Sequence, residues 1–428
     1  MFNFTQTNKS KIDSVDSNHL SLEKDVNPVI NKYYPALLDA VHASLSVFAT
    51  LSLKNRTKPL SLIFEASSGF GKSAVLQMAF PYKSSADKIS KLADYAYRSD
   101  KFTPKSFVSH AANKSKKSLA EVDLLPRLEN KVLITKELAP IFQGREQEKR
   151  ENFSILIAVL DGKGFTSDSG TMGQRGYQRN IIFNWLGATT PLSIATHRMM
   201  SQLGTRLLFF EISSVEPTDE ELFAYAASDN VGKAEIDCNI TVNNFLIDFF
   251  QRHPVGSMES DSIVIPKSLS IQITLWAKFL VKGRAEIKYD EDDNDLTPKT
   301  ANKPEGAWKV IDYFKELARG HALIHDRMEV NSSDIDFISH VAISSVPIQY
   351  RALIRELRKS EYVTSSQCAN MSMVSQTTAR RFLSELSILG IAKLIKGTTK
   401  VNAPDKICLS DEFIWMKINN KQEKPFNF

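Results

Sequence analysis

The sequence predicts an α/β protein built on a mainly parallel sheet, extended by an all-α unit and closed by a small unit of three helices and strand-like residues. Three observations carry this. Lys58 to Ala66 reads as a buried strand running into a glycine-rich turn and a helix; short apolar runs alternate with helical stretches as far as Ile212; beyond Pro217 the apolar spacing turns helical. At 428 residues, with 42% hydrophobic and 24% charged residues and a net charge of +5, the chain has room for two or three domains. A small scaffold, a low-complexity chain and a disulfide framework are excluded. Cys238, Cys368 and Cys408 lie far apart without a CxxC pair, which excludes a four-cysteine zinc site and points to a reducing, cytoplasmic setting. No apolar run reads as reaching the roughly 18 residues that cross a bilayer, so no membrane is expected.

In chain order, residues 1–28 are polar and read as a mobile arm. Val29, Tyr33, Leu37, Leu38, Val41, Leu45, Phe48 and Leu51 then repeat at helical spacing, broken by Pro35, and predict a helix or helix pair. Leu60–Phe64, Lys131–Thr135, Asn180–Gly187 and Leu207–Ile212 are the strands of the core, which spans 29–216. A helical unit occupies 217–347, with Trp308 to Ala322 its clearest amphipathic helix. Within it, 288–304 holds the acidic run Asp290 to Asp295 and two prolines and reads as an exposed loop; the run lacks calcium-loop spacing. The last unit, 348–415, shows helices at Tyr350–Lys359, after Thr364 and from Ser375, then a strand at Ile391–Ile395 after Gly390; 416–428 is a tail. This is the order of a winged helix-turn-helix.

The strongest motif is Ala66-Ser67-Ser68-Gly69-Phe70-Gly71-Lys72-Ser73, continued by Ala74, which matches GxxxxGK[ST] except at its first position. Gly69 and Gly71 permit the turn whose backbone N–H groups face phosphate oxygens, and the following helix adds its positive end. Lys72 would reach the β- and γ-phosphates of ATP and Ser73 would hold Mg²⁺. Hydrolysis also needs an acid at the end of a second strand, and Val132-Leu133-Ile134-Thr135-Lys136-Glu137 supplies half of the usual pair. Glu137 can orient or deprotonate water, whereas Lys136 stands where a carboxylate normally helps hold the metal, so the metal rests on Ser73 and the phosphates or borrows another acid.

The order of these two motifs, a polar hairpin, Gly-Ala-Thr-Thr-Pro (187–191) and Leu-Gly-Thr-Arg-Leu-Leu-Phe-Phe (203–210) resembles an AAA+ ATPase. Within that class it is most similar to the helicase-like ATPases of bacterial mobile elements, distant relatives of the minichromosome-maintenance helicases. The resemblance covers about Leu60 to Pro347. It implies that Thr189, or else Thr190, positions the hydrolytic water; that Arg206 is an arginine finger reaching a neighbouring subunit; that Lys309 opens the lid helix as a second sensor; and that the chain forms a homo-oligomeric ring, taken as a hexamer. His321 on that helix receives no role.

Two surfaces are expected to meet DNA. The stretch Asp161–Asn180 carries Lys163, Arg175 and Arg179 with Phe165 and Tyr177, where the relatives project a hairpin into a ring's pore around a single strand. Thr377, Thr378 and Arg380 open the third helix of the last unit, the position that meets duplex DNA, with Lys393, Lys396 and Lys400 on the wing. Lys101, Lys105, Lys114, Lys116 and Lys117 form a further basic stretch, either a second pore loop or a solvated face. The expected function is ATP-driven translocation on, unwinding of or remodelling of DNA in replication or maintenance of a mobile element. The alternative is an ATP-controlled DNA-binding switch or antiviral-defence ATPase without processive motion.

Overall fold

The structure is a computed structural model that describes residues 19–83, 89–109, 116–142, 145–169, 173–193, 196–197, 204–213, 218–227, 231–289, 297–397 and 404–418. Lys114, Lys400, the acidic run and most of the proposed arm and tail lie outside them.

Strands β1 (Leu60–Glu65), β2 (Ala96–Arg98), β3 (Val132–Thr135), β4 (Phe165–Ser169), β5 (Gly173–Tyr177), β6 (Asn184–Thr189) and β7 (Leu207–Glu211) belong to the α/β half. Five of them form one all-parallel sheet in the order β2-β3-β6-β1-β7. β1, β3 and β6 are buried along their whole length, as a sheet covered on both faces requires. Leu60, Leu62 and Phe64 of β1 join one core cluster, and Ile63 joins the other with Leu133, Trp185 and Phe209. The first face is covered by the helices Leu38–Ala49, Lys72–Met78 and Trp308–Ile324, the second by Glu146–Leu160. β6 begins four residues later than its apolar run suggests, at Asn184, whose amide is held by Val47 O and Thr50 Oγ1. β2 has no counterpart in the sequence reading because three residues carry too little periodicity.

Three other expectations change. The arm ends sooner: Leu22, Val26 and Ile30, spaced one turn apart, are buried, so ordered helical structure starts at Leu22 rather than 29. Residues 288–304 are not a plain loop, because β8 (Ile287–Tyr289) and β9 (Pro298–Ala301) pair antiparallel there. One stretch, Pro35–Ser52, is long and apolar enough to span a membrane; 72% of it is buried, as befits a helix lodged between the sheet and the helical unit.

The last unit holds helices Ile348–Lys359, Ser365–Ser372 and Gln376–Ile388 with β10 (Val363–Thr364), β11 (Ala392–Ile395) and β12 (Lys406–Leu409). Its antiparallel sheet runs β10-β12-β11. Thr364 and Gln367 form a capping box for the second helix, and Ser375 caps the third.

Candidate nucleotide site

The chain leaves β1 for the far side of the sheet, returns through β3 to β6, and then crosses over β1 to β7. The strand order therefore reverses at β1, and the carboxyl end of such a strand opens a crevice. Residues 66–73 occupy that end. Gly69 (φ +90°) and Gly71 (φ +79°) are left-handed, and a Cβ on Gly69 would meet nothing within 4 Å, so the loop is open on that side. A Cβ on Gly71 would strike Leu37 at 2.6 Å, where the N-terminal helices close over the loop. The helix that follows has only seven residues, so the loop's amides, more than a helix dipole, must supply the positive field.

Lys72 is buried, and its Nζ donates to Ala66 O (2.7 Å) and Ser67 O (2.8 Å). Burial lowers its pKa, while the charges of Glu137 and Glu65 act in the opposite sense. The ammonium is thus parked on two carbonyls beside two carboxylates. Ser73 is exposed, as a metal-binding hydroxyl must be, and Phe70 packs partly on the core. Glu137 follows β3 and accepts from Ala139 N–H at 2.9 Å. Lys136 lies over the Phe80 ring at 5.5 Å. Thr189 ends β6 beside Glu65 and is buried, donating to Thr190 O at 3.0 Å, whereas Thr190 is exposed. The loop and these residues fit a triphosphate and its metal: an open cradle, a relocatable ammonium, an accessible hydroxyl and a nearby carboxylate.

Arg206 and Lys309 lie elsewhere. Leu207 pairs with Ser61 and Glu211 with Glu65, so Arg206 stands at the amino end of the strands, about 20 Å from the loop at ~3.3 Å per residue. There Arg206 donates to Asp161 at 3.0–3.2 Å, and Lys309 Nζ meets the same carboxylate at 3.1 Å. Burial raises the Asp161 pKa, but the bonds from Arg206 and Lys309 outweigh it and leave it lowered. Lys309, like Arg206, thus stands at the amino end of the strands, away from its own chain's loop. Its helix carries it to the edge where Asp312 pairs with Lys58 and Glu316 with Arg56.

Two partners escaped the sequence reading. Asp161 ends the Glu146–Leu160 helix before Gly162 (φ +75°), and only its place in a turn could have marked it. Glu65, immediately before the loop, is buried with its Oε1 on Leu192 N–H and its Oε2 2.6 Å from Arg351 of the last unit. Arg355 pairs with Glu211 at the end of β7. No local signal links these positions.

The expected DNA contacts divide. Arg175 is almost buried, donating to Ser109 O and paired with Asp123, which also accepts from Tyr177. These contacts tie β5 to the segment around Ser109 and Asp123. Arg179 forks onto Glu129 and keeps half its side chain exposed; Lys163 is exposed. Thr377 and Arg380 are exposed, the latter 3.7 Å from Asp405, and Thr378 bonds the capping Ser375. Lys393 and Lys105 pair with Asp411 and Glu151.

No protein-family model matches this chain, and no curated protein is detectably similar to it.

Proposed function

We propose that this chain is an ATP hydrolase of the AAA+ type that assembles into a ring, taken as a hexamer, and couples turnover to DNA in the cytoplasm. The observation that carries the reading is the division of cationic groups between the two ends of one sheet. Lys72 and Glu137 flank the crevice at the switch point; Arg206 stands about 20 Å away, where a nucleotide held by a second copy is the one it could reach. The strand order also supports it, with the glycine loop on β1, between β6 and β7, and the acid after the adjacent-but-one β3.

On this reading Lys72 exchanges the carbonyls of Ala66 and Ser67 for phosphate oxygens, a swap eased because the buried ammonium has already shed part of its water. Glu137 holds the attacking water and accepts its proton. Ser73 would hold Mg²⁺, which would supply charge neutralisation at the phosphates. Arg206 of the adjoining subunit exchanges Asp161 for the γ-phosphate, adding positive charge where negative charge develops. The last unit is read as a winged helix meeting duplex DNA through Thr377 and Arg380, and Lys163 as a contact to a strand in the pore.

Lys72→Ala should reduce ATP-dependent phosphate release at least 100-fold while leaving the fold intact by circular dichroism; hydrolysis at the parent rate would overturn the assignment. A second reading, an ATP-controlled DNA-binding switch, is favoured by Lys136 in place of an acid and by Arg351, which joins the last unit to the strand beneath the loop. Strand displacement from a forked duplex separates them: unwinding supports the motor, and ATP-dependent assembly on DNA without unwinding supports the switch.

A further inference from the structure

Helices Leu38–Ala49 and Trp308–Ile324 pack closely enough that a Cβ on Gly320 would sit 2.3 Å from Ser46 O. Just beyond this contact, His42 of the first helix faces His321 and His325 of the second. His321 and His325 are one turn apart on one helical face, the spacing that lets two imidazoles share a metal. One ligand nitrogen from each of the three rings lies within 4.8 Å of the others. The rings meet at centroid distances of 5.4 Å (His42 to His325) and 4.8 Å (His321 to His325).

Each ring also spends one nitrogen on an oxygen. His42 Nε2 meets Asn27 Oδ1 at 2.7 Å, His321 Nδ1 meets Asp334 Oδ1 at 2.5 Å, and His325 Nδ1 meets Glu23 Oε1 at 3.3 Å. Asp334 is itself fixed by two bonds from Arg327 at 2.7 Å. Oxygen contacts of this kind are what fix the tautomer and orientation of a metal-binding imidazole.

We infer that His42, His321 and His325 bind a divalent cation of the zinc class. Three imidazoles and no thiolate suit zinc or cobalt(II) better than magnesium or calcium. Zinc–nitrogen bonds of about 2.0–2.1 Å need the nitrogens about 3.3 Å apart, so the rings close by roughly 1.5 Å at most through side-chain rotation. A water takes the fourth position. The ion would pin the helix that carries Lys309 to the helix that covers Gly71, a structural role independent of the nucleotide reading.

The test uses the full chain, stripped with chelator and titrated with Co²⁺ alone, followed by visible absorption. One equivalent should give the intense bands of a tetrahedral nitrogen-rich site, and Zn²⁺ should abolish them. His42→Gln and His325→Gln should each weaken binding at least 100-fold, and Asn27→Ala, which removes only an outer contact, roughly 10-fold or more. A folded parent chain that takes up no Co²⁺ or Zn²⁺, or bands unchanged in both histidine variants, would overturn the site. The parent titration decides even if a variant fails to fold.

Discussion

The two ends of the central sheet hold their positive charge in opposite ways. At the carboxyl end Lys72 is buried on two carbonyls, neutral acceptors that phosphate oxygens can replace with gain in charge. At the amino end Arg206 and Lys309 share the full negative charge of Asp161, and only a ligand of higher charge displaces it. On the proposed reading the first end accepts an anion from solution and the second gives up its guanidinium when a neighbouring copy brings a polyanion against it.

The largest expected effect tests the amino end. On the proposed reading, Arg206→Ala should lower kcat of the assembled protein by about 10³ or more while leaving ATP affinity of a single subunit unchanged. Mixing it with Lys72→Ala subunits should restore part of the activity, because each supplies what the other lacks; mixtures no more active than either parent would show that both groups serve one chain's site. Next in size is the carboxyl end. Arg351→Met strips Glu65 of its buried partner and should cost about 3–5 kcal/mol in urea unfolding, whereas adding Glu65→Gln should recover part of that loss.

A smaller effect concerns the hairpin. Lys163→Ala should weaken single-stranded DNA binding uniformly across sequences and reduce the salt slope by about one, while Arg175→Ala should loosen the β4–β5 pair in hydrogen exchange and leave that slope alone. Smallest is the pH response of Asp161. Its folded pKa is lowered, so the contribution is present above the unfolded value near 3.9 and is lost as pH falls through the folded one. Asp161→Asn should therefore cost below about 1 kcal/mol at pH 7, and less as the pH falls below the unfolded value, a trend that denaturant titrations across that range would resolve.

Much of the first end was legible in the chain. Gly69, Gly71 and Lys72 follow an apolar strand and precede a helix, and each of these features is set within a few residues. The three helices of the last unit were equally plain, because Thr364, Ser375 and Gly390 mark their limits. The second end was half legible: Arg206 and Lys309 stood out as cations, but Asp161 did not. For Arg175 the sequence showed a guanidinium and not the Asp123 that pairs with it. His321 looked idle because Asp334 and His42, which it meets, sit on other helices.

By itself the amino-acid order determined where backbone sterics and apolar period act alone: the buried strands, the glycine turn that exposes Ser73, and the capped helices. Tertiary structure decided which charges meet. Glu65 finds Arg351, Asp161 gathers Arg206 with Lys309, and His42 joins His321 and His325, because side-chain pairing depends on distances in space that chain packing sets and sequence separation does not encode.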